Sequence, residues 1–213
     1  MARLSVTPKK NTGARIGLFG GTFDPPHVGH QILAAEAQQQ LGLDCVLWVL
    51  TPDPPHKQGQ ALTPLLQRIE LVRAAIATNP GFALCTVELE RPGPHYTVDT
   101  LRIVQERHPQ AALFYLIGED SLRDLLRWRE PSALLAACAG LGVMRRVGVQ
   151  VDWAGLEAAL PDIRRQVQWI ETPLIEISSR DVRQRIANGA AYRYYLPAAV
   201  ATLVEEYGLY RKR

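Results

Sequence analysis

Gly20-Gly-Thr-Phe-Asp-Pro-Pro-His-Val-Gly-His30 joins a short apolar run, Arg15 to Gly20, to an amphipathic stretch, Val28 to Leu41, which contains Val28, Ile32, Ala35 and Leu41 and stops at Gly42. A strand-sized apolar run, a glycine-bearing turn and a helix make a βα unit. Gly20 and Gly21 keep side chains out of a turn that a phosphate must approach, and Thr22 and Phe23 complete it. A helix starting near His27 aims its free N–H groups and the positive end of its dipole at that turn. His27 and His30 then share one side of the first helical turn, where two N–H donors can grip one phosphoryl group. The same spacing suits a metal, but zinc would need a third ligand and a water-activating carboxylate, and the chain has no H-E-x-x-H and no thiolate nearby. No metal site built from protein ligands is therefore expected. Neither G-x-G-x-x-G nor G-x-x-x-x-G-K-[ST] occurs, which removes support for dinucleotide-fingerprint and P-loop chemistry.

The βα pattern repeats outward from this stretch. Strands are predicted at Arg15 to Gly20, Cys45 to Leu50, Phe82 to Leu89, Ala112 to Ile117, Gly140 to Arg146 and Gln166 to Glu171. The first two and the fourth are near-continuous apolar runs, as expected of parallel strands covered on both faces. Thr63 and Pro64 read as an N-cap and first-turn pair for a helix carrying Leu65, Ile69, Val72 and Ile76, and a third helix follows Thr97. The expected fold is α/β, a doubly wound and mostly parallel sheet of Rossmann-like type with a small C-terminal helical part, and its ligands should sit at the carboxyl ends of strands. Residues 1–14 read as a flexible lead-in and residues 15–213 as a single domain.

Composition narrows the function classes. Of 213 residues, 47% are hydrophobic and 21% charged, which excludes disorder and fibres. A net charge of +3, with dispersed Lys and Arg, argues against nucleic acid as a partner. No apolar run reaches membrane-spanning length, and the polar lead-in lacks a secretory h-region, so a soluble cytoplasmic protein is expected. Cys45, Cys85 and Cys138 lie in separate apolar segments and read as buried free thiols. Whether the chain forms a homo-oligomer is left open.

A second phosphate signal lies near the other end of the chain. Ile177-Ser-Ser-Arg-Asp-Val-Arg183 follows the last predicted strand and opens a helix ending at Asn188-Gly189. Ser178 or Ser179 can cap that helix, and its hydroxyls, N–H groups and Arg180 can form an anion cradle suited to β- and γ-phosphates. Arg145 and Arg146, at the end of a predicted strand, are left unassigned.

The eleven-residue block from Gly20 to His30 resembles the signature of the H-x-G-H nucleotidyltransferase superfamily, whose members transfer AMP or CMP to a phosphate-bearing acceptor. The second block resembles the superfamily's I-S-S-T-x-x-R phosphate motif. Arg183 matches the trailing arginine, while Arg180 stands where a threonine often does. Between them the chain is similar to bacterial nicotinate mononucleotide adenylyltransferases, in order from about Arg15 to Tyr210. The matching segments are Pro54-Pro-His-Lys57, Pro94-His-Tyr-Thr-Val-Asp-Thr-Leu101, Leu116-Ile-Gly-Glu-Asp-Ser-Leu122, Leu126-Arg-Trp-Arg-Glu-Pro131 and the closing Gly208-Leu-Tyr210. Taken singly, each has an ordinary structural reading as a cap, a packing residue or a loop charge.

The resemblance implies adenylyl transfer from ATP to nicotinate mononucleotide, giving deamido-NAD and pyrophosphate in NAD biosynthesis. It assigns His27 and His30 to the reacting phosphates. Gly20, Gly21, Thr22, Phe23, Gly118, Asp120, Ser178, Ser179, Arg180 and Arg183 would hold ATP. His56, Lys57, Thr97, Trp128 and Arg129 would hold the acceptor, with Thr97 at the nicotinate carboxylate and Trp128 stacked on the pyridine ring. Mg2+ would accompany ATP, held mainly by phosphate oxygens. Two alternatives stay open: transfer to another phosphorylated acceptor, such as nicotinamide mononucleotide or phosphopantetheine, and a nucleotide-binding sensor without turnover.

Overall fold

The computed structural model describes residues 13–53, 61–173 and 176–212. Strands β1 (Arg15–Gly21), β2 (Cys45–Leu50), β3 (Phe82–Cys85), β4 (Ala112–Gly118), β5 (Gly140–Met144) and β6 (Val167–Ile170) form one sheet in the order β3-β2-β1-β4-β5-β6. Every pairing in it is parallel. The chain winds from β1 to one edge, returns, and winds from β4 to the other, so the carboxyl ends of β1 and β4 flank the crevice where open α/β sheets bind ligands.

Helices α1 (Val28–Gln40), α2 (Leu65–Ile76), α3 (Thr97–Arg107), α4 (Glu119–Arg123), α5 (Pro131–Ala136), α6 (Trp153–Ala159), α7 (Ile163–Gln166), α8 (Ser179–Ala187) and α9 (Ala198–Glu206) cover the sheet. Strand residues alternate between its two faces. Phe19, Val46, Trp48, Leu50, Phe114 and Leu116 pack with α1, α2, α8 and α9 on one side. Ile16, Leu18, Leu47, Val49, Leu113 and Ile117 pack with α3 to α7 on the other. Burial on both faces explains why β2 is apolar at all six positions. Each fully buried leucine on these faces, Leu71 for example, contributes about 2–5 kcal/mol against truncation to alanine. The C-terminal α9 joins the core of α1 and α2.

Several boundaries differ from the sequence reading, each for a local reason. The third strand ends at Cys85 rather than Leu89, because a turn closed by the Leu89 N–H on the Thr86 carbonyl (2.8 Å) bends the chain. The fifth strand stops at Met144, and the Arg146 N–H goes instead to Glu119 Oε2 at 2.8 Å. The sixth spans only Val167–Ile170, since the Glu171 N–H turns to Gln40 Oε1. Pro64, not Thr63, is the N-cap of α2; the Thr63 N–H and carbonyl are occupied by Asp24 Oδ2 and Arg68 Nε. Ala14 already joins the sheet, its carbonyl accepting the Ala112 N–H. Cys45, Cys85 and Cys138 are buried and free, and burial pushes the thiols of Cys45 and Cys138 up to about 11. No helix among the described residues is long and apolar enough to cross a membrane.

Candidate active site

A cleft of about 940 Å³ opens at the carboxyl ends of β1, β4 and β5. Its wall includes Gly20, Gly21, Thr22, Phe23, His27 and His30 from the first βα unit, Gly118 and Asp120 from the fourth, and Ser178, Ser179, Arg180 and Arg183 from α8 and its cap. Thr97, Trp128 and Arg129 line it as well. All the expected site residues that the structure describes are therefore gathered in one place. His56 and Lys57 lie outside the described residues.

The phosphate turn is built around two imidazoles. His27 is the N-cap of α1, and its own backbone N–H donates to His30 Nδ1 at 3.0 Å. With Nδ1 accepting, the proton of a neutral His30 ring sits on Nε2, which becomes the donor. The two rings stack with centroids 3.6 Å apart. Burial and, after it, the nearby positive charge of Arg146 hold the pKa of His27 down at about 3, against a small opposing pull from Asp181. His27 is thus a neutral donor at physiological pH. Phe23 has a left-handed backbone (φ 46°) and is buried, its ring edge-on to His30 and close to Phe19 and Trp48.

The N-termini of α1 and α8 meet across the turn. A Cβ on Gly29 would lie 4.0 Å from Ile177 Cβ, and Ser179 Oγ donates to the Pro25 carbonyl at 2.8 Å. Arg183 Nη1 donates to the Asp24 carbonyl at 2.7 Å. Ser178 Oγ accepts the Asp181 N–H at 3.1 Å and donates to the Asp181 carboxylate, so it caps α8. The Ser179 hydroxyl and Arg183 thus tie α8 to the turn that follows β1. Arg180, in the same first turn, is exposed and lines the cleft.

The other end of the cleft is made by side chains. Tyr115 is buried, its hydroxyl 3.3 Å from Thr97 Oγ1 and its pKa raised to about 12 by burial. A Cβ at Gly20 would come within 2.6 Å of that hydroxyl, so the glycine lets the two ends of the cleft approach. Trp128 meets Tyr115 edge-on at 6.0 Å and keeps part of its surface open to the cleft. Arg129 lies over the Tyr96 ring and pairs with Glu130.

The cytidylyltransferase-like family model matches residues 18–185. A Thermus thermophilus protein named "Probable nicotinate-nucleotide adenylyltransferase" is 43% identical over 92% of this chain and 100% of its own length. A Thermomicrobium roseum protein of the same name is 42% identical over 93% of this chain and 92% of its own. The chain belongs to the nicotinate-nucleotide adenylyltransferase family. Among solved structures, the Plasmodium falciparum nicotinic acid mononucleotide adenylyltransferase complexed with NaAD superposes on this family member with a TM-score of 0.75, covering 92% of this chain and 97% of that one. At 19% identity this likeness shows the fold.

In this nucleotidyltransferase the cleft also includes residues not expected from sequence. Arg146 lines it, with Nε 3.6 Å from Asp120 Oδ1 and its charge felt by His27. Arg145 points elsewhere, its guanidinium 4.1 Å from the centre of the Trp169 ring. Alternation along an extended chain was the available signal, since adjacent residues face opposite sides. Glu88 and His95 are buried in the wall near Thr97, and the Thr100 hydroxyl donates to Glu88 Oε1 at 2.5 Å. Nothing local in the sequence marks Glu88, because the turn after Cys85 that brings it inward lies inside the predicted strand.

Proposed function

We propose that this chain transfers the AMP moiety of ATP to nicotinate mononucleotide, giving deamido-NAD and pyrophosphate, as a step of NAD biosynthesis in the cytoplasm. The observation that carries this reading is the convergence of two helix N-termini and the stacked His27–His30 pair on one cleft, whose far end presents Thr97 and Trp128. A triphosphate suits the first part and a planar ring the second.

The acceptor's 5′-phosphate is ionised near neutral pH and attacks without a general base. An oxygen of that phosphate bonds to the α-phosphorus of ATP, the bond from that phosphorus to the bridging oxygen breaks, and the electron pair leaves with pyrophosphate. Catalysis then consists of alignment and of stabilising charge around the α-phosphorus. His30 donates from Nε2 and His27 adds a second neutral donor beside it. Arg146, the first turn of α8 and Arg180 stabilise the departing pyrophosphate. Trp128 stacks on the pyridine ring, and the Thr97 hydroxyl donates to its carboxylate.

Among the described residues, no group of three or more His, Cys, Asp or Glu side chains converges into a metal cage. Mg2+ would enter on the triphosphate, because it prefers phosphate and water oxygens and needs few protein ligands. When bound it neutralises phosphate charge. The test incubates the purified chain with ATP, Mg2+ and each of nicotinate mononucleotide, nicotinamide mononucleotide and phosphopantetheine, following pyrophosphate and identifying the product by mass. Deamido-NAD from the first acceptor is expected. ATP binding with no pyrophosphate from any of the three would replace the proposal with the sensor reading.

A further inference from the structure

The closing Gly208-Leu-Tyr210 segment lies outside the cleft wall, yet it reaches the phosphate turn. Tyr210 OH donates to Asp24 Oδ1 at 2.7 Å, across almost the whole length of the sequence. Tyr210 does so from a left-handed backbone (φ 64°), a conformation that a non-glycine residue keeps only when its surroundings hold it there. Its ring packs against the core of α1, α2 and α9. Asp24, buried, is the residue on which the turn hangs. Besides Tyr210, its Oδ2 accepts the Thr63 N–H and its carbonyl accepts Arg183 Nη1. Arg68, also buried, completes the support by donating to the carbonyls of Thr22, Thr51, Pro52 and Thr63.

Three residues from His27, the turn is therefore braced by Asp24, Arg68 and Tyr210, none of which is part of the cleft wall. A shift of Asp24 would carry through Pro25 and Pro26 to the His27 N–H, whose bond to His30 Nδ1 sets which imidazole nitrogen donates. We propose that Tyr210 is a positioning residue for phosphoryl chemistry, acting through Asp24 to hold the Gly20–His30 turn in the geometry that aims His30 Nε2. The activity part rests on the proposed function, and the ring-nitrogen part does not. Burial, with the carboxylate of Asp24 beside it, raises the Tyr210 hydroxyl well above its ordinary range, so it remains a donor at any working pH.

The test compares Tyr210→Phe with Tyr207→Phe, which deletes a neighbouring hydroxyl bonded to Glu70 on α2, away from the turn. Misplacement of a reacting geometry by even 1 Å can cost on the order of 10² in rate. Tyr210→Phe is expected to lower kcat about tenfold while the KM for nicotinate mononucleotide stays within about twofold. Tyr207→Phe should leave both unchanged. The ring 15N resonances of His30 should move in Tyr210→Phe and not in Tyr207→Phe, a readout independent of which acceptor is used. In an Asp24→Ala background, adding Tyr210→Phe should cost little more, since each change removes the same Tyr210–Asp24 bond. Unmoved His30 resonances, an unchanged kcat below the melting temperature, or full additivity with Asp24→Ala would each overturn the proposal. If the wild-type chain proved inactive on nicotinate mononucleotide, the resonances would still decide it.

Discussion

The two ends of the cleft are built in opposite ways. At one end, the first turns of α1 and α8 and two imidazoles come from two short stretches, each opening a helix. At the other end, Thr97, Tyr115 and Trp128 come from separate segments and meet side chain to side chain, and Glu88 in the same wall is held by the Thr100 hydroxyl. The first end is suited to any nucleoside triphosphate and should govern the rate. On the proposed reading the second holds the acceptor and should govern its binding. Mutations at the two ends should therefore separate kcat from KM.

The largest effect belongs to the phosphate end. His30→Ala removes a donor aimed where charge develops and is expected to lower kcat by about 10² to 10³ with the protein still folded. Near-normal turnover by a folded, pure variant would erase the proposed division. At the acceptor end, Trp128→Ala should raise the KM for nicotinate mononucleotide about tenfold while the KM for ATP stays close to the wild-type value. Equal changes in both constants would show that the tryptophan only packs. A smaller change is expected for Thr97→Val, which keeps shape and loses one hydroxyl: a loss of about fivefold in kcat/KM for the nicotinate acceptor, read in steady-state assays against the nicotinamide acceptor.

A further effect falls on stability rather than rate. His27 has a folded-state pKa of about 3 against 6.5 for the free side chain. Between those values the unfolded chain binds the extra proton, so this contribution is fully present above pH 6.5 and is lost as pH falls toward 3. From pH 7 to pH 5 the loss should be of order 2 kcal/mol, seen as a falling urea midpoint. His27→Asn should flatten that limb, and an unchanged slope would show that His27 is not kept neutral by the fold.

The same contrast explains which features are legible in the sequence alone. The sheet was legible because parallel strands covered on both faces are apolar throughout, as in Cys45–Leu50, and the helix after Ser178 was legible from its cap and its Asn188-Gly189 stop. The phosphate turn was legible because its whole chemistry lies within eleven consecutive residues. Strand ends were misread wherever a long-range side chain took over a backbone group, as Glu119 does for Arg146 and Gln40 for Glu171. Arg146 and Glu88 escaped notice because their place in the cleft depends on strand register and a turn. The brace from Tyr210 and Arg68 to the turn was out of reach for the same reason, since it joins segments far apart in the chain.

The most direct test of the account is the ratio of kcat/KM for nicotinate mononucleotide to that for nicotinamide mononucleotide, measured by pyrophosphate release with saturating ATP and Mg2+. The account predicts release with a strong preference for the nicotinate form, carried by the Thr97 and Trp128 end of the cleft. Equal use of both acceptors, or preference for the nicotinamide form, would contradict it.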